Sequence, residues 1–309
     1  MHSRKVHDFC YNEESGEIII GREKFPRLKP EYDNDNKTIV DWKLYETYNP
    51  KNPLLSDPGD NVEETLRFLL KHAKDLGTRN LAGVVADSQV VCNRNFIKTV
   101  MNDKKWEYFL EKFDGKLFIR KNNSFKEILH NRQKKSLHNG LEFEDRLFDK
   151  NANWKAKSAV ITEFSSENGK VTIFHTDQID GVDSRNKTIE AKREQNTDPN
   201  KIWTQCKLGM IEFVLFGNCE KAKVTTLEKK RVDELKIDKQ KAEDFNKDLV
   251  DIMNIILKGS SQLSEDKILI ASCDYGEITT KIVDKSAENQ VLSQEFKDYF
   301  QQASKPAKP

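Results

Sequence analysis

The chain has 309 residues, of which 36% are hydrophobic, so it is long and apolar enough to bury a full core. Its 52 Lys and Arg residues nearly balance its 51 Asp and Glu residues, and the net charge of +1 argues against a protein that coats nucleic acid non-specifically. The five cysteines are odd in number and widely spaced, which matches neither a disulfide framework nor a zinc pattern. Because no apolar run approaches the length of a membrane span and no secretory leader is recognisable, we expect an intracellular protein.

The predicted domain organisation is simple. No linker rich in Pro, Gly or Ser divides the chain and no internal period is found, so we expect one domain over residues 1–302. Residues 303–309 are of low complexity and are expected to form a disordered tail.

The first long predicted helix begins at Asn61. The sequence Asn61-Val-Glu-Glu64 is typical of a capping box, and Gly77 is suited to end the helix. Between them the apolar residues recur at helical spacing, which predicts a helix that packs on the core.

A second long helix is predicted to begin at Ser124-Phe-Lys-Glu127, another capping box. One stripe of this helix is formed by Leu137, Leu141, Glu144 and Phe148. A lone carboxylate on an apolar stripe is costly to bury. Glu144 is therefore expected to be paired with a cation, protonated or bound to a metal, unless it lies at the edge of the stripe and reaches water.

The next predicted feature is a β-hairpin. Val171–His175 has the pattern of a strand, residues 184–187 that of a turn, and Thr188–Lys192 that of a second strand lying beside the first. A further strand is predicted upstream at Ala159–Thr162.

Three charged residues of this hairpin form a D-x6-E-x-K array. Alternate side chains of a strand share one face, so Glu190 and Lys192 should lie side by side, and Asp183 should converge on them from the neighbouring strand. The two carboxylates can hold a divalent cation, while the lysine can position a water or offset charge on a phosphate. The alternative is a solvated hairpin, since 33% of the residues are charged.

The elements after the hairpin complete the predicted fold. A helix over Asn200–Met210 places Gln205 directly after the Glu190 strand, and Glu212–Phe216 reads as the next strand. A helix containing Phe245–Ile256 and a strand at Ile268–Ala271 follow. The mixed order of strands and helices predicts an α+β or α/β domain with a mixed sheet.

Two basic runs are candidates for contact with a nucleic-acid backbone. They are Arg132-Gln-Lys-Lys135 and Lys229-Lys-Arg231. A solvated surface is the alternative for both.

Four motifs and one arginine are distinctive when taken together. The motifs are Gly140–Glu144 (G-x-x-F-E), Val182-Asp183 (the end of E-V-D), Glu190-Ala191-Lys192 (E-x-K) and Lys201–Gln205 (K-x-W-x-Q), and the arginine is Arg94, which follows a strand-like segment. Together they resemble the DXO family of RNA decapping enzymes and 5′-to-3′ exoribonucleases. The order of these elements agrees across roughly residues 10 to 300, as in a divergent member.

The resemblance implies a fold and a site. The fold would be an α+β domain in which two packed mixed sheets are surrounded by helices, with the D…ExK hairpin in a cleft. Mg²⁺ or Mn²⁺ would be bound by Glu144, Asp183, Glu190 and the carbonyl of Ala191. Lys192 would position a water and Gln205 would orient water or substrate, so that Glu190, Lys192 and Gln205 would be the catalytic residues. Arg94, Lys192 and Gln205 would contact the substrate.

Two positions depart from the family pattern. Leu137 and Gly181 stand where the family has acidic residues, while Asp180 is one residue away and should point to the opposite face of a regular strand unless a bulge turns it. We therefore expect slower hydrolysis than in a relative with the full set, and an increase in turnover on changing Gly181 to Glu.

Two functions follow from the resemblance. The first is a metal-dependent hydrolase that removes aberrant or nucleotide-metabolite caps from RNA 5′ ends, and the resemblance also implies 5′-to-3′ exoribonuclease activity. The second is a catalytically weakened relative that binds RNA ends or regulates a partner exoribonuclease. Both would be consistent with a nuclear or cytoplasmic protein, and the resemblance favours the nucleus.

Overall fold

Two mixed β-sheets and seven α-helices make up the part of the chain that the computed structural model describes. This part comprises residues 1–34, 37–44, 46, 48–49, 62–122, 124, 131–151, 153–194, 198–220 and 223–301. The helices are α1 (Glu63–Asp75), α2 (Leu81–Val84), α3 (Arg94–Asn102), α4 (Asn131–Leu147), α5 (Pro199–Gly209), α6 (Lys239–Gly259) and α7 (Gln294–Gln301).

The larger sheet has nine strands. They are β1 (His2–Asn12), β2 (Ile18–Ile20), β5 (Val90–Asn93), β6 (Lys105–Phe113), β7 (Lys116–Lys121), β9 (Trp154–Ser166), β10 (Gly169–Gln178), β15 (Lys267–Asp274) and β16 (Glu277–Asp284). Their order is β16-β15-β6-β7-β5-β10-β9-β1-β2. Strand β10 is antiparallel to β9 and parallel to β5, so the sheet is mixed.

The smaller sheet has seven strands. They are β3 (Arg27–Leu28), β4 (Thr38–Lys43), β8 (Phe148–Asp149), β11 (Gly181–Val182), β12 (Thr188–Glu194), β13 (Phe213–Glu220) and β14 (Lys223–Arg231). Their order is β4-β14-β13-β12-β11-β3-β8. Strand β12 pairs in parallel with β13 and antiparallel with β11. The predicted α+β fold with two mixed sheets is confirmed.

Helices cover both faces of the larger sheet. Phe68 of α1 and Phe296 of α7 belong to one buried cluster with the sheet, and Phe96 of α3 and Met253 of α6 belong to another. The predicted helices at Asn61 and Phe245 are observed as α1 and α6, and the predicted strands at residues 159, 213 and 268 lie in β9, β13 and β15.

The two faces of the smaller sheet pack against different helices. Ile189 and Ala191 of β12 share a buried cluster with Phe143 of α4. On β13, Val214 instead joins a cluster with Cys206 of α5. Because successive strand residues face opposite sides, Glu190 and Lys192 point away from the Ile189 and Ala191 face.

The predicted hairpin is wrong in its first strand. Strand β10, which contains Val171–His175, lies in the larger sheet, whereas β12 lies in the smaller sheet. The hairpin partner of β12 is the two-residue strand β11. The side chains of β10 are buried on both faces between β9 and β5, so this strand is an interior strand of the larger sheet and does not pair with β12.

The predicted stripe of the second helix is also wrong. The buried residues of α4 are His138, Asn139, Phe143 and Leu147, and α4 ends before Phe148. Glu144 directly follows Phe143 and lies at the edge of this buried face, with 23% of its side chain exposed. Phe125–Glu127 of the proposed capping box lies outside the described residues.

Two further predictions concern the ends of the chain and membranes. Residues 302–309, which include the predicted tail, and Asn61 of the first capping box lie outside the described residues. The extent of a single domain over residues 1–302 stays a prediction. Among the described helices, none combines the length and the apolar character needed to cross a membrane.

Candidate active site

The chain passes from the larger sheet to the smaller one at residues 179 and 180, between β10 and β11. Asp180 lies in this crossing, and its Oδ2 accepts a hydrogen bond from the backbone N–H of Ala191 at 2.8 Å. The crossing segment is not a regular strand, which is why Asp180 does not follow the alternation that the sequence predicted. The bond attaches its carboxylate to β12 beside Glu190.

Glu190 is the central acceptor of the site. Its Oε1 accepts hydrogen bonds from Lys192 Nζ and from Gln205 Nε2. The predicted shared face of Glu190 and Lys192 and the predicted proximity of Gln205 are therefore observed. Glu190 is 2% exposed, and its second carboxylate oxygen has no hydrogen-bond partner within the described part of the chain.

Three carboxylates interact electrostatically at this point. Burial raises the pKa of Asp180 well above its usual value, and the negative charges of Glu190 and Glu144 raise it further. Burial also raises the pKa of Glu144, and the charge of Glu190 acts in the same direction, while Lys150 opposes it from 3.5 Å. Close carboxylates that repel one another favour either a proton or a cation between them. We call Glu144, Asp180 and Glu190 the acid cluster.

The acid cluster has the oxygen donors that a divalent cation needs, but its side chains are not arranged around a common point. Oxygen ligands suit Mg²⁺, Mn²⁺ and Ca²⁺, and the unpartnered oxygen of Glu190 is a donor ready for such an ion. Within the described residues, however, no three His, Cys, Asp or Glu side chains are placed so that together they could hold a metal ion. The carboxylates would have to turn toward one another to bind one.

Arg94 lies next to the acid cluster at the beginning of α3. Its Nη1 donates to Asp177 Oδ2 at 2.7 Å, and the charges of Glu190 and Asp180 also act on it. One helical turn later, burial and then the charges of Arg94 and Lys192 lower the pKa of Lys98. Sequence reasoning found Arg94 but missed Asp177 and Lys98.

A groove of about 380 Å³ opens beside Arg94 and Gln205. Helices α3, α5 and α6 provide most of its walls. The lining residues are Arg94, Lys98, Asn102, Asp103, Asp198, Asn200, Lys201, Thr204, Gln205, Leu208, Lys241 and Phe245. Four of them are cationic and two are acidic, so the groove next to the acid cluster has the charge to attract an anion.

Asp183, a predicted metal ligand, is placed elsewhere. Its Oδ2 accepts a hydrogen bond from Lys229 Nζ at 2.8 Å, and its Oδ1 accepts bonds from the backbone N–H groups of Arg185 and Lys187. Burial would raise the pKa of Asp183, but these hydrogen bonds outweigh it and hold the pKa below its usual value. No contact among the described residues joins Asp183 to Glu144 or Glu190.

Lys229 is correspondingly not part of a basic surface. It is 1% exposed and contacts Asp33 at 3.0 Å as well as Asp183. Asp180 is therefore the acid that lies beside Glu190, while Asp183 closes the turn between β11 and β12 and holds a buried lysine.

Gly181 does not offer room for the missing acid. A Cβ atom at this position would lie 2.4 Å from Phe148 Cε1 and 2.9 Å from the carbonyl oxygen of Pro26. Phe148 is 2% exposed and has little freedom to move aside. Contrary to the prediction from the sequence, Gly181→Glu is therefore not expected to increase turnover.

Gly181→Ala is instead expected to destabilise the fold by about 1–3 kcal/mol, as overpacking of a buried site does, and Gly181→Glu by more. Urea unfolding would measure both. Gly140→Ala is the matched control, because nothing lies within 4 Å of a Cβ atom there. Equal stability of Gly181→Ala and wild type would contradict the expectation.

His175 is buried in β10 two residues before Asp177. Its side chain is fully buried, its Nε2 forms a hydrogen bond of 2.9 Å with Thr162 Oγ1, and its Nδ1 has no hydrogen-bond partner among the described residues. Burial, and then the charge of Arg94, lower its pKa to about 3. The ordinary value is about 6.5.

Acid should therefore weaken the fold through His175. Below pH 6.5 the unfolded chain takes up a proton that the folded chain does not bind until about pH 3. The free energy of unfolding should fall across this window by up to about 1.4 kcal/mol per pH unit from this residue. Urea unfolding at several pH values gives the free energy of unfolding as a function of pH. Its slope should be shallower for His175→Gln than for wild type or for His2→Gln, the control at an exposed site. Parallel slopes would contradict the prediction.

Comparisons with known proteins define the fold. No family model matches the sequence, and no curated protein matches it significantly. Among solved structures, the chain is similar to Scheffersomyces stipitis Rai1 in complex with 3′-NADP⁺ and calcium, with a TM-score of 0.69 and 14% identity over 97% of this chain and 96% of that one. Candida albicans Rai1 in complex with pU5 and Mn²⁺ gives the same four values.

K. lactis Dxo1 in complex with manganese is also similar, with a TM-score of 0.63 and 15% identity over 92% of this chain and 90% of that one. The resemblance to the DXO family is thus confirmed at the level of the fold, over nearly the whole chain.

Proposed function

We propose that the protein is a divalent-metal-dependent hydrolase that acts on RNA 5′ ends, removing aberrant or nucleotide-metabolite caps. One observation carries the proposal: the partly buried Glu144 and Asp180 and the buried Glu190 form an acid cluster with Lys192, Gln205 and Arg94 around it. The fold supports it, because solved Rai1 structures with this fold hold 3′-NADP⁺ with calcium or pU5 with Mn²⁺.

The revised ligand set is Glu144, Asp180 and Glu190, and Asp183 is left out of it. The family's E-V-D element is then matched by Gln178-Ile179-Asp180. In this alignment the missing glutamate is replaced by Gln178 and not by Gly181. The Ala191 carbonyl stays a proposed ligand. A bound divalent cation would supply Lewis-acid stabilisation of charge on the phosphate and make a neighbouring water more acidic.

The other residues have roles that follow from their contacts. Lys192 and Gln205 donate to the same oxygen of Glu190, so either can instead donate to a water or a phosphate oxygen that approaches this carboxylate. Arg94 presents a planar guanidinium that matches two phosphate oxygens, and the groove extends from it. Together these donors would hold the scissile phosphate against the acid cluster.

The second function is a weakened relative that binds RNA ends without cutting them. Leu137 and Gln178 replace two acids, and Lys150 and Lys192 already contact Glu144 and Glu190. Exoribonuclease activity, a partner 5′-to-3′ exoribonuclease and a nuclear location, which the resemblance implies, stay predictions.

One experiment separates the two. Purified protein is incubated with Mn²⁺ and RNAs carrying a triphosphate, a dinucleotide-type cap or a 5′ monophosphate, and the released products are separated by chromatography. Cap release that needs Mn²⁺ and is lost in Glu190→Gln supports the hydrolase. Binding of 5′ ends without release supports the weakened relative, and neither release nor binding contradicts both.

Arg94→Lys tests the phosphate contact. The variant keeps a positive charge beside Asp177 but loses the forked donor, so the affinity for a 5′-phosphorylated oligoribonucleotide should fall by about 1.5–3 kcal/mol. Fluorescence anisotropy measures this loss. A 5′-hydroxyl oligoribonucleotide is the control ligand, and an equal loss for both ligands would show that Arg94 does not contact the phosphate.

A further inference from the structure

Asp177 is a buried acid that has one hydrogen-bond partner among the described residues. Its side chain is fully buried, Oδ2 accepts the hydrogen bond from Arg94, and Oδ1 has no hydrogen-bond partner among the described residues. Burying a carboxylate is costly unless its charge is compensated. This carboxylate is therefore held in place by its contact with Arg94 and by the shape of its surroundings.

Gly209 makes the space that Asp177 occupies. A Cβ atom on Gly209 would lie 2.2 Å from Asp177 Oδ2 and 3.1 Å from Ile211 Cδ1. Its backbone φ is not in the positive region that favours glycine, so the absence of a side chain matters here for space alone. The carbonyl of Gly209 also accepts a hydrogen bond from Ser158 on β9 at 3.3 Å, which fixes the end of α5 against the larger sheet.

The contact leaves most of Arg94 available. A guanidinium has five N–H donors. Among the described residues, the Arg94 side chain donates a hydrogen bond to Asp177 alone. A long arginine side chain loses considerable rotamer freedom when it is fixed. If Asp177 already orders the Arg94 side chain in the free protein, phosphate binding does not incur this entropy cost a second time.

We infer that Asp177 is a positioning residue, which holds the Arg94 guanidinium toward the acid cluster for contact with a substrate phosphate, and that Gly209 provides the room this carboxylate needs. The inference rests on the proposed function, in which Arg94 binds the phosphate. It adds β10 and the end of α5 to the machinery of the site, although neither Asp177 nor Gly209 touches the substrate.

Positioning and charge have opposite consequences, which makes the inference testable. A negative charge beside Arg94 weakens its attraction for a phosphate, so if charge dominated, both Asp177→Asn and Asp177→Ala would bind RNA ends more tightly than wild type. If positioning dominates, Asp177→Asn keeps an acceptor for Arg94 and binds RNA ends about as well as wild type. Asp177→Ala then binds more weakly.

The experiment measures the affinity of each variant for a 5′-phosphorylated oligoribonucleotide by anisotropy, with melting temperature recorded alongside. We expect Asp177→Ala to weaken binding about tenfold and Asp177→Asn to stay within about twofold of wild type. In turnover assays the KM should rise for Asp177→Ala while kcat changes little. Gly209→Ala, which needs no loss of a buried charge partner, should weaken binding in the same direction by displacing the carboxylate.

Controls separate positioning from folding. Glu111 is another buried acid, 1% exposed, which contacts Lys285 and Lys297 and accepts bonds from the backbone of Val291 and Leu292. Glu111→Gln should lower the melting temperature without changing the affinity for RNA ends. A double variant, Asp177→Ala with Arg94→Ala, should bind no more weakly than Arg94→Ala alone.

Two results would overturn the inference in different ways. If Arg94→Ala weakens binding but Asp177→Ala and Gly209→Ala do not, Asp177 has a structural role only, and the proposed function stands. If Arg94→Ala itself leaves the affinity unchanged, Arg94 does not bind the phosphate, and the inference fails together with that part of the proposed function.

Discussion

Asp180→Asn is expected to abolish Mn²⁺ binding and to lower any hydrolytic activity by about 10²- to 10³-fold, the range found when one preorganised polar group of an active site is removed. Asparagine has the same size and can still accept the hydrogen bond from the Ala191 N–H, so the local fold should persist. The variant loses only the negative charge that Asp180 contributes beside Glu144 and Glu190.

Calorimetric titration of Mn²⁺ and release of caps from RNA are the two measurements. Asp183→Asn is the matched control, because it removes the other carboxylate of the same segment. It should retain metal binding, since Asp183 contacts Lys229 and has no described contact with the acid cluster. If Asp183→Asn lost the metal while Asp180→Asn kept it, the ligand set predicted from the sequence would be right and the revised set wrong.

Asp183→Ala is expected to lower the free energy of unfolding. The change leaves Lys229, which is 1% exposed, with Asp33 as its remaining carboxylate partner, and removes the acceptor for two backbone N–H groups of the turn. Breaking a buried pair costs about 3–5 kcal/mol, and the retained Asp33 contact favours the lower end, near 3 kcal/mol.

Urea unfolding at neutral pH measures this loss. Asp75→Ala is the control, because the Asp75–Lys71 pair is exposed on α1 and such pairs contribute about 0–1 kcal/mol. The Asp183 contribution should also decrease in acid. Its folded-state pKa is below the usual value, so the stability that it provides is present above about pH 4 and is lost as pH falls through the folded-state pKa. A loss no larger than that of Asp75→Ala would contradict the assignment.

Local patterns in the sequence were sufficient for much of the site. The period of two in a strand placed Glu190 and Lys192 on one face, and the helix after β12 placed Gln205 beside them. These relations depend on neighbours in the chain, and the structure preserves them. The helices α1 and α6 followed from apolar periodicity in the same way.

Relations between the two sheets were not predictable from the same rules. Nothing local indicates that β10 and β12 belong to different sheets, so the sequence predicts a hairpin between them and favours Asp183 over Asp180. The available signal was the apolar Ile179 between Gln178 and Asp180, which fits E-V-D as well as Val182 does. The contact of Asp177 with Arg94, 83 residues apart, has no signature in the sequence.

The route of the chain through residues 179 and 180 makes the site a junction between the two sheets. Arg94 follows a strand of the larger sheet, Glu190 belongs to the smaller sheet, and Asp180 lies on the segment that links them. A ligand held by all three residues would act as a non-covalent clamp across the sheets. Its binding energy would then add to folding stability by about 2.7 kcal/mol at a hundred times the Kd, so thermal shift could report ligands of this site even for a variant that has lost turnover.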